Sequence, residues 1–212
     1  MFIRMCGRLN NPKDLSRIAA RYRVKEKINF PHNPNLAPTE ETPIIGKDLE
    51  GHRKLRLARF GLIPGWAKET KVSYSMINAR AETIREKPAY KSAFEKRRCI
   101  IPVEGFYEWR KESEIKQPYY FSGEDGALLS LAGIWELNDK LGEEIYSFTI
   151  ITTNANETMK PYHDRMPVII KREEEDEWLN SSDVTDILKP YDNGLKIQKM
   201  NPAMNSPKFK NF

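Results

Sequence analysis

At 212 residues the chain is long enough to bury a substantial core, and one domain is the natural expectation. An apolar fraction of 39% with 4 tryptophans excludes a disordered polymer, and no apolar run approaches the ~18 residues of a membrane-spanning helix. The formal charge of +5 comes from 35 basic residues set against 30 acidic ones, so it points to a polyanionic partner only where particular arginines gather at one site.

The opening Met1-Phe2-Ile3-Arg4-Met5 is too short for a signal peptide, and a cytoplasmic protein is expected. Two cysteines, Cys6 and Cys99, have no CxxC spacing. His32, His52 and His163 are scattered without HxxxH or HExxH, so no metal site and no cofactor are expected.

In chain order, residues 12–23 place Leu15, Ile18, Ala19 and Tyr22 on one face, which predicts an amphipathic helix with Asn11 as N-cap and Pro12 at its first position. Prolines at 31, 34, 38 and 43 make residues 30–43 an ordered loop. Residues 43–47 and 54–60 read as two strands joined by a turn at 48–51, and residues 60–66 form a Gly/Pro-rich loop that presents Trp66. Charges at helical spacing predict two short helices over 79–98, interrupted by Pro88. Residues 99–109 turn β-like, and strands follow at 118–121, 128–135 and 145–153, expected to pair as an antiparallel meander. A short helix is expected at 154–162, one strand at 166–170, a helix opened by the acidic run 173–177, and a last strand at 195–199. With no repeat, linker or composition break, the expectation is a single α+β domain with a curved, mainly antiparallel β core and short flanking helices.

The chemistry turns on Cys6. A cysteine at a chain terminus carries a free α-amine beside its thiol, and the pair condenses with an aldehyde into a five-membered thiazolidine. An internal cysteine cannot, because its nitrogen is an amide. The expectation is therefore that residues 1–5 are removed or that the mature chain starts at Met5 and loses it. Taken alone, Cys6 reads equally as a buried hydrophobe, Glu108 as a salt-bridged carboxylate, His163 as a loop histidine and Asn78 as a helix cap. Arg80 lies two residues after Asn78, Trp109 one after Glu108 and Arg165 two after His163, an arrangement suited to holding a phosphodiester beside reacting groups.

Four stretches, Met5-Cys6-Gly7-Arg8, Ile77-Asn78-Ala79-Arg80-Ala81-Glu82-Thr83, Gly105-Phe106-Tyr107-Glu108-Trp109 and His163-Asp164-Arg165-Met166-Pro167, together resemble the SRAP family of abasic-site processing proteins. Residues 35–39, 61–66 and 98–102 are similar to the same family, in the same order. The resemblance implies a mainly β fold and covalent capture of abasic sites in single-stranded DNA through Cys6 as the N-terminal residue; self-processing is expected separately, from attack of the Cys6 thiol on the Met5 carbonyl to release residues 1–5. It implies Asn78, Glu108 and His163 as the remaining catalytic residues: Glu108 activating the amine and thiol, His163 protonating the departing sugar oxygen, Asn78 holding the sugar or the amine. The two proton-transfer roles are interchangeable at this level. It further implies DNA contacts by Arg8, Arg80 and Arg165, with Pro38 and Trp66 against splayed bases. Trp109, beside Glu108, is also available for base stacking, and the default expectation is a monomer, nucleoid-associated when bound to DNA. In this family the cysteine follows the initiator methionine directly, whereas here four residues precede Met5.

Two other readings stay open. One is a thiol peptidase or amidase using Cys6 and His163. The other is a nucleic-acid binding module without chemistry, in which Cys6 packs inside.

Overall fold

The computed structural model describes residues 6–112, 114–206 and 209, so the expected removal of residues 1–5 lies outside the described residues. Twelve strands and three α-helices are assigned among them. They run β1 (Leu9–Asn10), α1 (Leu15–Tyr22), β2 (Glu41–Lys47), β3 (Arg53–Phe60), β4 (Asn78–Arg80), α2 (Pro88–Lys96), β5 (Arg98–Val103) and β6 (Gly105–Glu112). Then follow β7 (Ile115–Gly123), β8 (Leu129–Asn138), β9 (Ile145–Asn154), β10 (Arg165–Pro167), β11 (Ile169–Ile170), α3 (Glu175–Asn180) and β12 (Leu195–Lys199).

The strands form two sheets, mostly antiparallel. A four-stranded sheet has the order β1-β6-β7-β12, and an eight-stranded one runs β10-β9-β3-β2-β5-β8-β11 with β4 beside β9. The larger sheet curves until its ends meet. β8 and β9 pair directly from Gly133 and Ile150 to their hairpin, and beyond that point β10 pairs with β9 while β11 pairs with β8. Only β3 and β4 run parallel to β9.

Side-chain alternation explains the layering. Cys99, Ile101 and Val103 of β5 face a core shared with Leu9, Phe106 and Phe121 of the smaller sheet. Ile100, between them, faces a second core with Ile18 of α1, Phe94 of α2 and Trp178 of α3. β5 is thus buried on both faces along its whole length, as a strand between a sheet and helices must be. Trp178 anchors the helical layer: its indole N–H donates to the Cys99 carbonyl at 2.9 Å, and its ring meets Phe94 edge-on.

Several expectations are corrected by this arrangement. The N-cap of α1 is Asp14, whose carboxylate accepts the Arg17 N–H at 3.1 Å; Asn11 instead is buried and holds the proline-rich loop through Asn33 N–H and the Pro31 carbonyl. β2 starts at Glu41, two residues before the expected strand at 43–47, so Pro43, where the expected loop and strand met, lies inside it. Residues 79–98 hold one α-helix, not two. Pro88 starts α2, where its missing N–H costs nothing, and the segment before it pairs with β9 as β4 before a short 3-10 turn. The meander is interrupted: β7 pairs with β6 and β12, because the chain leaves the large sheet at Glu104 and re-enters it only at β8. Residues 154–162 make successive turns rather than a helix, with the Asn156 side chain accepting the Met159 N–H. The strand expected at 166–170 divides at Val168, which bonds across to both Ile151 and Ala132 as the chain crosses from β9 to β8. Within the acidic run, Glu175 is buried and accepts bonds from Arg21, Arg53 and Ser130, so it ties α1, β3 and β8 together in addition to its place at a helix start. Among the described residues, no helix is long and apolar enough to cross a membrane.

Candidate active site

Strand β6 carries Glu108 on the face turned toward the core between the sheets, where its cross-strand neighbour is Tyr119. Its carboxylate Oε1 accepts the backbone N–H of Cys6 at 2.5 Å, a contact between residues 102 positions apart. Both residues are fully buried. The second oxygen, Oε2, is also buried and has no partner among the described residues. Burial pushes the Glu108 carboxyl up to about 8; the N–H groups of Cys6 and Trp109 oppose the rise, and the Asp164 carboxylate adds to it. The Cys6 thiol is raised well above its ordinary value, first by burial and then by the Glu108 charge. Cys6 also has a φ of 48°, in the left-handed region that a side chain with a Cβ occupies at a cost.

The other expected catalytic residues arrive on neighbouring elements. Asn78 begins β4, held in parallel register with Ile150 of β9, and Ile77 before it lies in the same buried cluster as Cys6. His163 ends the turns after β9. Met159 and Met166 on either side of it belong to that cluster too, and Tyr162 packs edge-on against Tyr119 and Phe121. Nδ1 of His163 accepts the Arg165 N–H at 3.0 Å and lies 2.8 Å from Oδ1 of Asp164. These contacts suit different protonation states. A neutral ring uses Nδ1 as the acceptor and carries its proton on Nε2, whereas a charged ring donates from Nδ1 to Asp164. Burial lowers the His163 pKa, Asp164 opposes that and Arg165 adds to it, so the neutral form holds at neutral pH.

The expected DNA contacts divide. Arg80 and Trp66 are exposed, the latter 64% so, and Pro38 lies half-buried in the turn before β2. Arg165 is committed to a bidentate pair with Glu82, with further bonds to the Asn154 side chain and the Thr152 carbonyl. Trp109 follows Glu108 on the strand and so points to the opposite face. There the Arg8 guanidinium lies 6.0 Å from its ring and its indole N–H donates to Asn205 at 2.6 Å, while Arg8 donates to Asn35. Cys99 is core, as expected. Asp164 and Glu82 are the partners that sequence reasoning passed over, although both sit inside the quoted motifs. A charged residue beside a charged residue gives no sign in one dimension of whether the two will meet. Asp48, Glu50 and His52 bring ligand-type atoms within 4.8 Å of one another in the exposed β2–β3 turn, far along the chain from these groups.

Comparison with known proteins places the arrangement. A family model described as SOS response associated peptidase (SRAP) matches residues 5–207. The abasic site processing protein YoaM of Bacillus subtilis is 39% identical over 215 residues, covering 96% of this chain and 94% of that protein. The abasic site processing protein HMCES of Xenopus tropicalis is 34% identical over 197 residues, covering 77% of this chain and 56% of its own length. A crystal structure of a Bacteroides thetaiotaomicron protein superposes with a TM-score of 0.84 at 29% identity, covering 96% of this chain and 97% of that one.

Proposed function

The chain belongs to the SRAP family of abasic site processing proteins, and from that premise we propose that it captures abasic sites in single-stranded DNA as a thiazolidine on Cys6 once the residues before Cys6 are gone. The observation that carries the reading is the buried contact between the Cys6 nitrogen and Glu108, with the second carboxylate oxygen left open beside it. When Cys6 is the terminus, that nitrogen is an amine with an ordinary pKa of ~8. Burial raises the proton affinity of Glu108 while the residues before Cys6 are attached, and a new ammonium beside it draws the carboxyl back toward its charged form, which then accepts the ammonium proton and leaves a neutral, nucleophilic amine.

The chemistry then balances within the site. The amine nitrogen bonds to the C1′ aldehyde carbon of the opened abasic sugar, giving a carbinolamine. Glu108 returns its proton to the hydroxyl, water departs to leave an iminium, and the Glu108 carboxylate takes the N–H proton back to give the neutral imine. The Cys6 sulfur bonds to the imine carbon, its proton moves to the nitrogen, and the ring closes. His163, neutral with its proton on Nε2, donates a hydrogen bond to the sugar oxygen as the furanose opens. Asn78, able to donate and accept at once, orients the sugar or the amine. Arg80 is open to a phosphate, whereas Arg165 reaches one only in competition with Glu82.

Self-processing belongs to the same reading. The left-handed φ of Cys6 is a constraint that hydrolysis of the Met5–Cys6 bond would release, and Glu108 sits on the leaving nitrogen. A general thiol peptidase is disfavoured, because such enzymes work through a thiol of depressed pKa, whereas burial and the Glu108 charge raise that of Cys6. The test is a denaturing gel with an oligonucleotide carrying one abasic site and protein whose N-terminus is verified by mass spectrometry as Cys6. A shifted band that disappears with Cys6→Ala and with undamaged DNA is expected; no band from the verified protein sinks the proposal. The chain that retains residues 1–5 should bind the oligonucleotide without forming the ring.

A further inference from the structure

Residues 61–77, between β3 and β4, carry no regular strand or α-helix, yet they are tied down along their length. The N–H groups of Gly61 and Ile63 donate to the Phe148 carbonyl and the Ser147 hydroxyl at 2.9 and 2.8 Å. The Asn138 side chain donates to the carbonyls of Pro64 and Ala67 at 2.8 and 3.0 Å, and Leu62 N–H bonds to Met76 O at 3.0 Å. Gly61 has a φ of 109°, and a Cβ there would stand 2.6 Å from the Ser73 carbonyl, so the outgoing and returning arms of the loop touch.

This rigid frame presents what a core would normally hide. Four large hydrophobic side chains are exposed among the described residues, and two of them, Trp66 at 64% and Tyr74 at 60%, stand on this loop. Lys68 and Lys71 are exposed between them, with Glu69 as the one intervening carboxylate. The loop ends at Ile77, next to Asn78, and exposed Arg80 follows two positions later. Flat aromatic faces interleaved with cations, on a frame that loses little entropy on binding, suit unstacked bases and the phosphates between them. A protein partner would favour a contiguous apolar patch, which the intervening charges break up.

We infer that residues 66–74 form a strand-tracking surface for single-stranded nucleic acid, with Tyr74 as a second stacking platform besides Trp66 and with Lys68 and Lys71 on phosphates. This deepens the function proposed above and rests on it for the identity of the strand. It assigns roles to three residues, Tyr74, Lys68 and Lys71, that the family motifs do not reach.

The test measures fluorescence anisotropy of a labelled, undamaged single-stranded oligonucleotide across a salt series. It uses wild type, Tyr74→Ala, Tyr74→Phe and the double variant Lys68→Gln/Lys71→Gln, with circular dichroism to show that each is folded. Tyr74→Ala should weaken binding by about fivefold or more while Tyr74→Phe stays near wild type. The double lysine variant should reduce the slope of log K against log salt by about 1.4, two phosphate contacts on a single strand. Wild-type affinity and slope in all the variants would overturn the assignment. Capture is scored separately on the abasic oligonucleotide. Capture with no effect of the loop variants removes this surface and leaves the covalent function; loop-dependent binding without capture by the Cys6-terminated protein does the opposite. Failure of the wild type to bind any single strand removes both.

Discussion

Glu108→Gln should make the protein more stable at alkaline pH while removing its chemistry. In the folded chain with Met5 attached, the Glu108 carboxyl holds its proton to about pH 8, against 4.5 for an unconstrained glutamate. Below 4.5 both folded and unfolded chains keep the proton, and the group contributes nothing to pH dependence. Between 4.5 and about 8 the unfolded chain has released the proton and the folded chain has not, so each step up in pH favours unfolding. Above about 8 the penalty is complete. At about 1.36 kcal/mol per pH unit it amounts to about 5 kcal/mol. Glutamine removes the titration, but its amide nitrogen takes a buried position without an acceptor, returning about 1–3 kcal/mol of the gain. A net stabilisation of about 2–4 kcal/mol at pH 9 remains, shrinking to nothing or reversing at pH 5. For a chain of this length that is a rise of about 5–15 °C in Tm at pH 9. Thermal or urea denaturation of both proteins from pH 5 to 9 reads this directly, since titrating groups that do not interact with Glu108 cancel in the difference. Parallel stability curves, or a variant that is less stable at pH 9, would refute the claim that the carboxyl is buried and protonated. Such a cost, carried at the centre of the fold, is expected where a group is kept for chemistry rather than for packing.

Other outcomes follow from the same coordinates. Both thiols are fully buried with raised pKa values, so a disulfide reagent at pH 8 should label the native chain far more slowly than the denatured chain; labelling of Cys6 within seconds would mean the site stands open. Gly61→Ala should destabilise the fold by about 2 kcal/mol or more, since the new Cβ meets backbone at 2.6 Å and the residue sits at a φ of 109°, and it should weaken single-stranded DNA binding without touching Trp66 or Tyr74. An unchanged urea midpoint would show that the loop is looser than described. Glu82→Gln should change stability by less than about 1 kcal/mol, because its pair with Arg165 is half-exposed on the glutamate side, yet tighten undamaged single-stranded DNA by removing an anion that competes for Arg165. Equal affinities in an anisotropy titration would place Arg165 off the DNA path.

Much of this molecule was legible in one dimension, because the information is local. Alternating residues announce β3 and β12, a short apolar run announces β2, turn residues mark 48–51, and the paired motifs around Cys6, Asn78, Glu108 and His163 carry their residue types openly. What failed were statements about partners. Charges at helical spacing over 79–98 concealed β4, whose strand conformation comes from pairing with β9, and β7 looked like the next strand of a meander until β12, more than 70 residues on, supplied its other neighbour. The proton affinity of Glu108 was beyond reach for the same reason. Nothing in Phe106-Tyr107-Glu108-Trp109 tells a carboxylate in water from one sealed under the Cys6 nitrogen, because desolvation is the work of segments 102 residues apart in the chain. Residue identity and local periodicity are properties of the chain. The meeting of the Cys6 nitrogen with the Glu108 carboxyl, and the dry surroundings that raise the acid's proton affinity, exist only after two sheets have closed over one core.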